Sequence, residues 1–445
     1  MLEDLFNNYL YLFGAAFFSL AMLYLMVRFS KFIPHFLVAT YFGLPLFYKL
    51  THLPLLPLTT IFTLLLGPVV LWHSRKRAIG YLWPIALYLL VVVFTSAINT
   101  VDLYEIKSAL IPIIISALCM LSFSKDTPTA KGLTSFVYVI IGWIAINSVF
   151  SILQIFLGDE FYVISVTEST TVDKIQRGYG LIGMATAVGI NFSLGVPLIA
   201  ALLFDKNSKK RLLFLVFILV LCVVGLLLSY SRGAIVGTMV AMFLVLYLHK
   251  RQRLLVAGLV IGIMAIFFYS SAMHLLPQHQ QQFVQGKDGS AGARLPYVQI
   301  GLRMFEDRPL TGWGYGGFSE NCMRYGSPIK LEAHNTYVQV LVEYGILGLV
   351  AFILMIGLSI RGYIGYIHTG GSPVLRTLSI GFLAALVAIT FDGLVHDLEW
   401  NLVFWLPVIF GFLMQHYRGV ERYVPAVGSA SDISAMQIQG GERFA

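Results

Sequence analysis

Hydrophobic runs long enough to cross a bilayer follow one another along most of the 445-residue chain. A membrane helix needs about 20 apolar residues. Runs of this kind predict spans near residues 9–27, 33–49, 55–72, 80–98, 106–123, 133–157, 179–204, 212–228, 233–248, 254–271, 335–361, 374–395 and 400–416. The second and third runs are short and carry prolines at 45, 54 and 57, so together they could form one span and a re-entrant piece. The pattern predicts an all-α polytopic membrane protein with about 12 (12–13) transmembrane helices.

Polar segments divide the chain into four predicted parts. Residues 1–271 are the N-terminal transmembrane helices, 272–334 a large outer loop, 335–423 the C-terminal transmembrane helices, and 424–445 a flexible cytoplasmic tail. A shorter outer loop of about 20 residues runs from Gly158 to Gly178.

The large outer loop contains a predicted helix. Val298, Leu302 and Phe305 recur at helical spacing. Pro296 suits a first helical turn, and Pro309 should end the helix. We expect this helix to lie along the membrane surface or over the helical bundle.

Composition agrees with a membrane protein. The chain is 58% hydrophobic and 12% charged, with a mean hydropathy of +0.80, whereas a soluble domain carries about 25% charged residues. The N-terminal sequence MLEDLFNNYL is acidic and no small-residue cleavage site follows the first run, so we expect no cleavable signal peptide.

The distribution of basic residues predicts the orientation. Eighteen lysines and arginines lie in alternate loops, which the positive-inside rule assigns to the cytoplasm: Arg28, Lys31, Arg75, Lys76, Arg77, Lys125, Lys131, Lys206, Lys209, Lys210, Arg211, Lys250, Arg251, Arg253, Arg361, Arg376, Arg418 and Arg422. The opposite short connections hold Lys49, Lys107, Lys174, Arg177 and Arg232. Because the net charge of +8 comes mostly from this asymmetry, it indicates orientation and does not indicate a nucleic-acid partner.

Several common sites are not indicated. The three cysteines, Cys119, Cys222 and Cys322, cannot form a disulfide framework and are interpreted as structural. Residues 312–317 (GWGYGG) match GxGxxG, but a dinucleotide site needs a strand before the loop, and here a helix precedes it. The sequence shows no metal-ligand spacing, so we expect neither a metal nor a cofactor.

Arginines on the outer side are the first candidate functional residues. Arg232 occupies a tight outer turn in LLLSYSRGAIVG, Arg177 closes the shorter outer loop, and Arg294 begins the loop helix. Each could snorkel to lipid headgroups or face solvent. Together they could surround one anion, because guanidinium binds phosphate oxygens in a bidentate manner. Arg303 is a supporting candidate.

His334 is the candidate base. It stands where the outer loop enters the span that begins near residue 335, and a neutral imidazole can accept a proton near pH 7. Asn335 or Thr336 is expected to cap the helix. The sequence FDGLVHDLEW places Asp392, His396, Asp397 and Glu399 at the last outer turn, and Asp392 could orient His334 or balance an arginine. The alternative for His334 is an interfacial anchor, and for Asp392 a solvated carboxylate.

These residues resemble the bacterial O-antigen ligase and O-antigen polymerase superfamily. The resemblance rests on SRGAIVG, on ARLPYVQIGLRMFEDRPLTGWGYGGF, and on EAHNTYVQVLVEYGILGL, in the same order and with one large late loop. It implies a GT-C-like, metal-independent glycosyltransferase of the inner membrane with a periplasmic active site. The donor would be undecaprenyl diphosphate-linked glycan, and in ligases the acceptor is a sugar hydroxyl of lipid A-core.

The resemblance also implies residue roles. His334 matches the essential histidine, Arg232 the arginine of the Ser-Arg pair, and Arg294 the arginine that opens the loop helix. Arg177 occupies the place of another family arginine, although the asparagine-proline-asparagine often found downstream of it is replaced by GLIGMATAVGIN.

Two further hypotheses remain at this stage. A polymerase or a protein O-oligosaccharyltransferase of the same superfamily would share these motifs. A transporter or flippase for an anionic lipid would place charges near the bilayer midplane in repeated halves, whereas here the charges cluster at one face.

Overall fold

The computed structural model describes most of the chain after residue 76. The described residues are 33–39, 41, 70, 76–99, 101, 103–124, 130–157, 178–181, 184–205, 208–251, 254, 294–369, 371–399 and 401–423. Outside them lie the predicted run at 9–27, all but one residue each of the runs at 55–72 and 254–271, most of the run at 33–49, the shorter outer loop up to Arg177, the start of the large loop and the tail at 424–445. The domain boundaries that depend on these segments stay predictions.

The described part of the chain is helical and contains no strand. Its α-helices are Lys76–Gly80 (α1), Trp83–Ile98 (α2), Leu103–Phe123 (α3), Ala130–Leu157 (α4), Ala185–Leu203 (α5), Lys209–Leu228 (α6), Arg232–Leu248 (α7), Arg294–Asp307 (α8), Gly317–Asn321 (α9), Thr336–Thr369 (α10), Pro373–Asp392 (α11) and Leu402–Tyr423 (α12). A 3₁₀ turn, Cys322–Tyr325, follows α9.

Five described helices are long and apolar enough to cross a membrane. They lie within α4, α5, α6, α10 and α11, and shorter apolar helices lie in α2, α3 and α7. Backbone groups in lipid must bond within their own segment, which is why apolar runs of this length form helices. These helices support a multi-pass membrane protein, whereas the total of about 12 spans stays a prediction.

Small residues let α7 approach α11 closely. A Cβ on Gly237 would collide with the carbonyl oxygen of Ala388, and a Cβ on Gly233 would collide with the Asp392 carboxyl. Gly233 and Gly237 are four residues apart, so they share one face of α7 and form the small-residue contact typical of membrane helices. The SRGAIVG motif therefore has a packing role beside any role of its arginine.

α10 is broken at Gly345, which differs from the continuous span predicted near residues 335–361. Gly345 has φ 66° and ψ −167°, a conformation that is essentially restricted to glycine. The break frees carbonyl groups that an unbroken helix would have used. Trp313 N–H donates to Val342 O at 3.0 Å, and Gly314 N–H donates to Glu343 O at 2.8 Å.

The loop that fills this break is residues 309–314, which we call the docking loop. Ile346 N–H donates to Pro309 O at 2.9 Å, and Gly312 has φ 62° where it passes the backbone of Glu343. The first residues of the GWGYGG motif thus replace missing helical hydrogen bonds. The sequence pattern did not reveal the break, because an apolar run gives no sign that a distant loop will supply hydrogen bonds.

The loop helix α8 packs over the start of α10, as expected. It ends before Pro309, and Ile300, Met304, Phe318, Cys322 and Val342 belong to a small separate core. The buried face differs from the predicted stripe, since Leu302 is 46% exposed. The reason is Gly301, whose missing side chain lets α8 approach Val338 on α10.

Candidate active site

His334 lies at the open N-terminal end of α10. Its side chain is 40% exposed, and its backbone has φ 50°, which is uncommon for a residue other than glycine. Asn335 caps the helix, as predicted, because its side-chain oxygen accepts from Tyr337 N–H at 3.0 Å and Val338 N–H at 3.1 Å. The cap and the unusual backbone together hold His334 just outside the helix, where its ring is accessible.

Asp397 is the carboxylate that meets His334. Its Oδ2 accepts from the His334 backbone N–H at 3.0 Å, and its Oδ1 accepts from the Asn335 N–H at 3.1 Å. Oδ2 also lies 3.5 Å from His334 Nδ1, an ion-pair distance, and the Asp397 side chain is 3% exposed. A carboxylate on the Nδ1 side of a histidine favours a proton on that nitrogen and leaves Nε2 free to act as a base.

Asp392 contacts His396 and not His334. It is fully buried, and its Oδ1 lies 3.0 Å from His396 Nδ1, four residues away along the chain. Its Oδ2 has no hydrogen-bond partner among the residues that the structure describes. In this structure the turn at residues 393–396 therefore brings Asp397, and not Asp392, to His334.

Thr336 joins the start of α10 to that same turn. Its N–H donates to Gly393 O at 2.8 Å, its hydroxyl donates to His396 O at 2.6 Å, and it accepts from Leu398 N–H at 3.0 Å. Because these hydrogen bonds join the two segments, the positions of His334 and Asp397 depend on one another.

Glu332, which the sequence left without a role, belongs to the same group of charges. Desolvation of its carboxyl and repulsion by Asp397 raise the pKa of Glu332 to about 7, although nearby His334 opposes the shift. A carboxyl group with this pKa can hold a proton near neutral pH. The side chains of Glu332, His334 and Asp397 therefore form one group of polar residues at the start of α10.

The loop helix covers one side of His334. The Tyr297 ring stands edge-on to the imidazole, with ring centroids 6.1 Å apart. Arg294 is three residues before Tyr297 and so lies on the same face of α8. Arg303 is exposed, about 180° around the helix from Arg294, so its predicted supporting role has no geometric support.

Arg232 reaches the same end of the bundle. It begins α7 and is half-buried, directly after a turn in which Tyr230 has φ 51°. Its neighbour Gly233 packs against Asp392 and Val395, in the turn that leads to Asp397. The close α7–α11 contact thus places the backbone of Arg232 beside the turn that supports His334.

Arg177 itself lies outside the described residues, but the chain directly after it is fixed. Gly178 N–H donates to Leu228 O at 2.9 Å, at the end of the helix that precedes Arg232. Gln154 on α4 accepts from Tyr179 N–H at 2.8 Å and donates to Gly180 O at 2.7 Å. Gly178 is therefore held at the end of α6, next to the turn that precedes Arg232.

The sequence alone did not identify Asp397 or Tyr297 as site residues. Asp397 was one of four polar residues at the last outer turn, and only the fold of that turn distinguishes them. Tyr297 carried no chemical signal. Among the described residues, no group of three or more His, Cys, Asp or Glu side chains has the arrangement of a metal site.

Comparison with known proteins connects this geometry to a family. Residues 215–353 match the family model described as O-Antigen ligase, and this range contains Arg232, Arg294 and His334. The match supports membership of the O-antigen ligase superfamily, so the resemblance predicted from the motifs is confirmed. Members of this family are glycosyltransferase-like ligases and polymerases.

A curated relative is consistent with this result but adds no activity. An uncharacterized protein of Haemophilus influenzae is 26% identical over 223 residues, which are 44% of this chain and 52% of the relative. The chain thus matches about half the length of that relative.

Proposed function

We propose that this member of the O-antigen ligase superfamily is a ligase. It transfers glycan from undecaprenyl diphosphate to a sugar hydroxyl of lipid A-core at the periplasmic face of the inner membrane. The observation that carries the proposal is the accessible His334 ring with Asp397 on its Nδ1 side. It lies at the end of the bundle where α7 begins with Arg232 and α8 begins with Arg294.

In the proposed reaction His334 is the general base. Its Nε2 removes the proton from the acceptor hydroxyl as that oxygen attacks the anomeric carbon of the donor. The bond between that carbon and the diphosphate oxygen breaks, and its electron pair leaves with the diphosphate. Attack opposite the leaving group inverts the anomeric centre. A well-placed general base contributes about 10²–10⁴-fold to such a reaction.

The arginines bind the leaving group. Negative charge grows on the diphosphate during transfer, and Arg232, Arg294 and Arg177 would stabilise it without reorganisation. One contact of this kind can supply about 3–4 kcal/mol. Since guanidinium groups can neutralise this charge, we propose that the reaction needs no metal.

Asp397 and Glu332 assist His334 in its role as the base. Asp397 orients the His334 ring through the contacts described above, and Glu332 can hold a proton close by. Asn335 positions the histidine as the helix cap.

The experiment is transfer with purified protein, undecaprenyl diphosphate-linked glycan and rough lipopolysaccharide, with and without chelator. A product on lipid A-core that forms equally well with chelator supports a metal-independent ligase. Elongation of the donor without lipid A-core product would indicate a polymerase, and glycan on a protein acceptor would indicate a protein O-oligosaccharyltransferase. Movement of lipid-linked glycan between leaflets without a new glycosidic bond would indicate a flippase.

A further inference from the structure

A cavity of about 400 Å³ lies at the opposite end of α11 from His334. It is formed where α5 and α7 end and α11 begins, and Phe204, His249, Lys250 and Arg376 are among its lining residues. α11 has 20 residues, so its length places the cavity about 30 Å from the turn that supports His334. Its volume is within the range of about 300–1,000 Å³ typical of small-ligand sites.

The charge of this cavity is mainly positive. Lys250 and Arg376 line it, and the Arg251 guanidinium stacks over the Phe204 ring at 5.5 Å from the centroid, on the cavity wall. Asp205 is the acidic residue among the lining residues. A cavity with more basic than acidic groups favours an anion, and arginine is suited to phosphate because it donates two parallel hydrogen bonds.

The local backbone explains why the basic residues gather here. Lys250 has φ 56°, so the chain turns sharply as α7 ends. The turn is closed by hydrogen bonds from Lys250 N–H to Tyr247 O and from Arg251 N–H to Leu246 O. Residues 249–251 consequently stay beside the helix end and face the start of α11, where Arg376 lies in the first turn.

His249 adds a polar ring to the lining of the cavity. Burial, followed by repulsion from Arg251 and Arg376, lowers the pKa of His249 to about 4, so the ring is neutral at pH 7. Its Nε2 is buried without a hydrogen-bond partner in the part of the chain that the structure describes. A buried polar atom of this kind is costly unless a ligand or a water satisfies it.

Apolar residues complete the lining. Leu248, Pro373 and Ile380 also border the cavity, and α11 is apolar enough to cross the membrane. A cavity with basic and apolar lining at the end of such a helix suits the level where phospholipid headgroups meet the acyl chains, and basic pockets between membrane helices on the cytoplasmic side bind anionic headgroups.

We propose that this cavity binds the phosphate group of an anionic phospholipid, on the membrane face opposite to His334. The phosphate would pair with Arg376 and Lys250, and the glycerol and first methylenes would contact the apolar lining. The proposal is independent of the proposed transfer reaction, because it uses no residue of that site.

The test is binding of phosphatidylglycerol to the full-length protein, measured by native mass spectrometry and by the shift in thermal unfolding temperature in nanodiscs. Nanodiscs of phosphatidylcholine alone are compared with nanodiscs that also contain phosphatidylglycerol, and a further arm adds inorganic phosphate. We expect phosphatidylglycerol to stabilise the protein and Arg376→Gln to weaken its binding about tenfold or more. Arg376→Lys should retain part of the binding.

Arg361→Gln is the matched control, because Arg361 is exposed on α10 and does not line the cavity. Equal phosphatidylglycerol binding by wild type and Arg376→Gln, or an equal loss in Arg361→Gln, would overturn the proposal. A third outcome is that inorganic phosphate stabilises wild type but not Arg376→Gln, and phosphatidylglycerol has no effect on either. That result would support a phosphate site and contradict lipid binding. Lys250→Gln, at an exposed position, provides the same comparison if Arg376→Gln does not fold.

Discussion

Gly345 is the residue at which the fold and the proposed site depend on one another most clearly. A residue with a side chain at this position must adopt the backbone angles φ 66° and ψ −167°, which costs about 1–3 kcal/mol. A Cβ would also collide with the Leu310 carbonyl oxygen and displace the docking loop. That displacement weakens three hydrogen bonds between the loop and α10, each worth about 0.5–1.5 kcal/mol. We therefore expect Gly345→Ala to lower the free energy of unfolding by about 3–7 kcal/mol.

The assay for this prediction is thermal unfolding of purified protein in one detergent, together with transfer activity below the unfolding temperature. Gly357→Ala is the matched control, because Gly357 is in the same helix and a Cβ there has no atom within 4 Å. That control should be neutral or stabilising by about 0.5–1 kcal/mol, since alanine favours helix more than glycine. Transfer should also fall in Gly345→Ala, because the docking loop holds α8 over His334. Equal unfolding temperatures for the two variants would refute the reasoning.

Three further predictions concern the charges of the site. Asp397→Asn should lower kcat for transfer about 10–100-fold with little change in KM, because it removes the charge that orients His334; an unchanged kcat would contradict that role. Glu332 has a pKa above its usual value, so the folded protein holds a proton there from about pH 4.5 to 7 that the unfolded chain has lost. The unfolding temperature should therefore fall as pH rises through this window, and in Glu332→Gln it should change less between those pH values. The same pH dependence in both proteins would count against the raised pKa of Glu332. Arg232→Lys should weaken donor binding about tenfold, because lysine cannot bind phosphate in a bidentate manner. The control Arg361→Lys should bind donor as wild type does. Equal donor affinities in all three proteins would count against Arg232 as a ligand.

The parts of the fold that the sequence predicted well are those set by local physical rules. Apolar runs of sufficient length had to become helices, and the ends of α8 follow from Pro296 and Pro309. The Asn335 cap was predicted because short polar side chains satisfy the free N–H groups of a helix start. His334 stays a predicted site residue, chosen because a histidine at the mouth of an apolar segment is unusual in a chain with few charges.

The parts that the sequence did not predict depend on contacts between distant segments. The break at Gly345 exists because the docking loop, about 30 residues earlier, supplies the replacement hydrogen bonds. Asp397 could not be separated from Asp392, because their positions depend on the turn at residues 393–396. The buried face of α8 was misjudged because Gly301, rather than the apolar stripe, decides which side approaches α10.

The central claim is that His334 removes the acceptor proton, and single-turnover transfer tests it most directly. Wild type and His334→Ala would be saturated with undecaprenyl diphosphate-linked glycan and rough lipopolysaccharide, with donor binding and unfolding temperature measured on the same samples. We predict a decrease of about 10²–10⁴-fold in the rate of the transfer step, with donor binding and stability close to wild type. Transfer by His334→Ala at the wild-type rate would contradict the account.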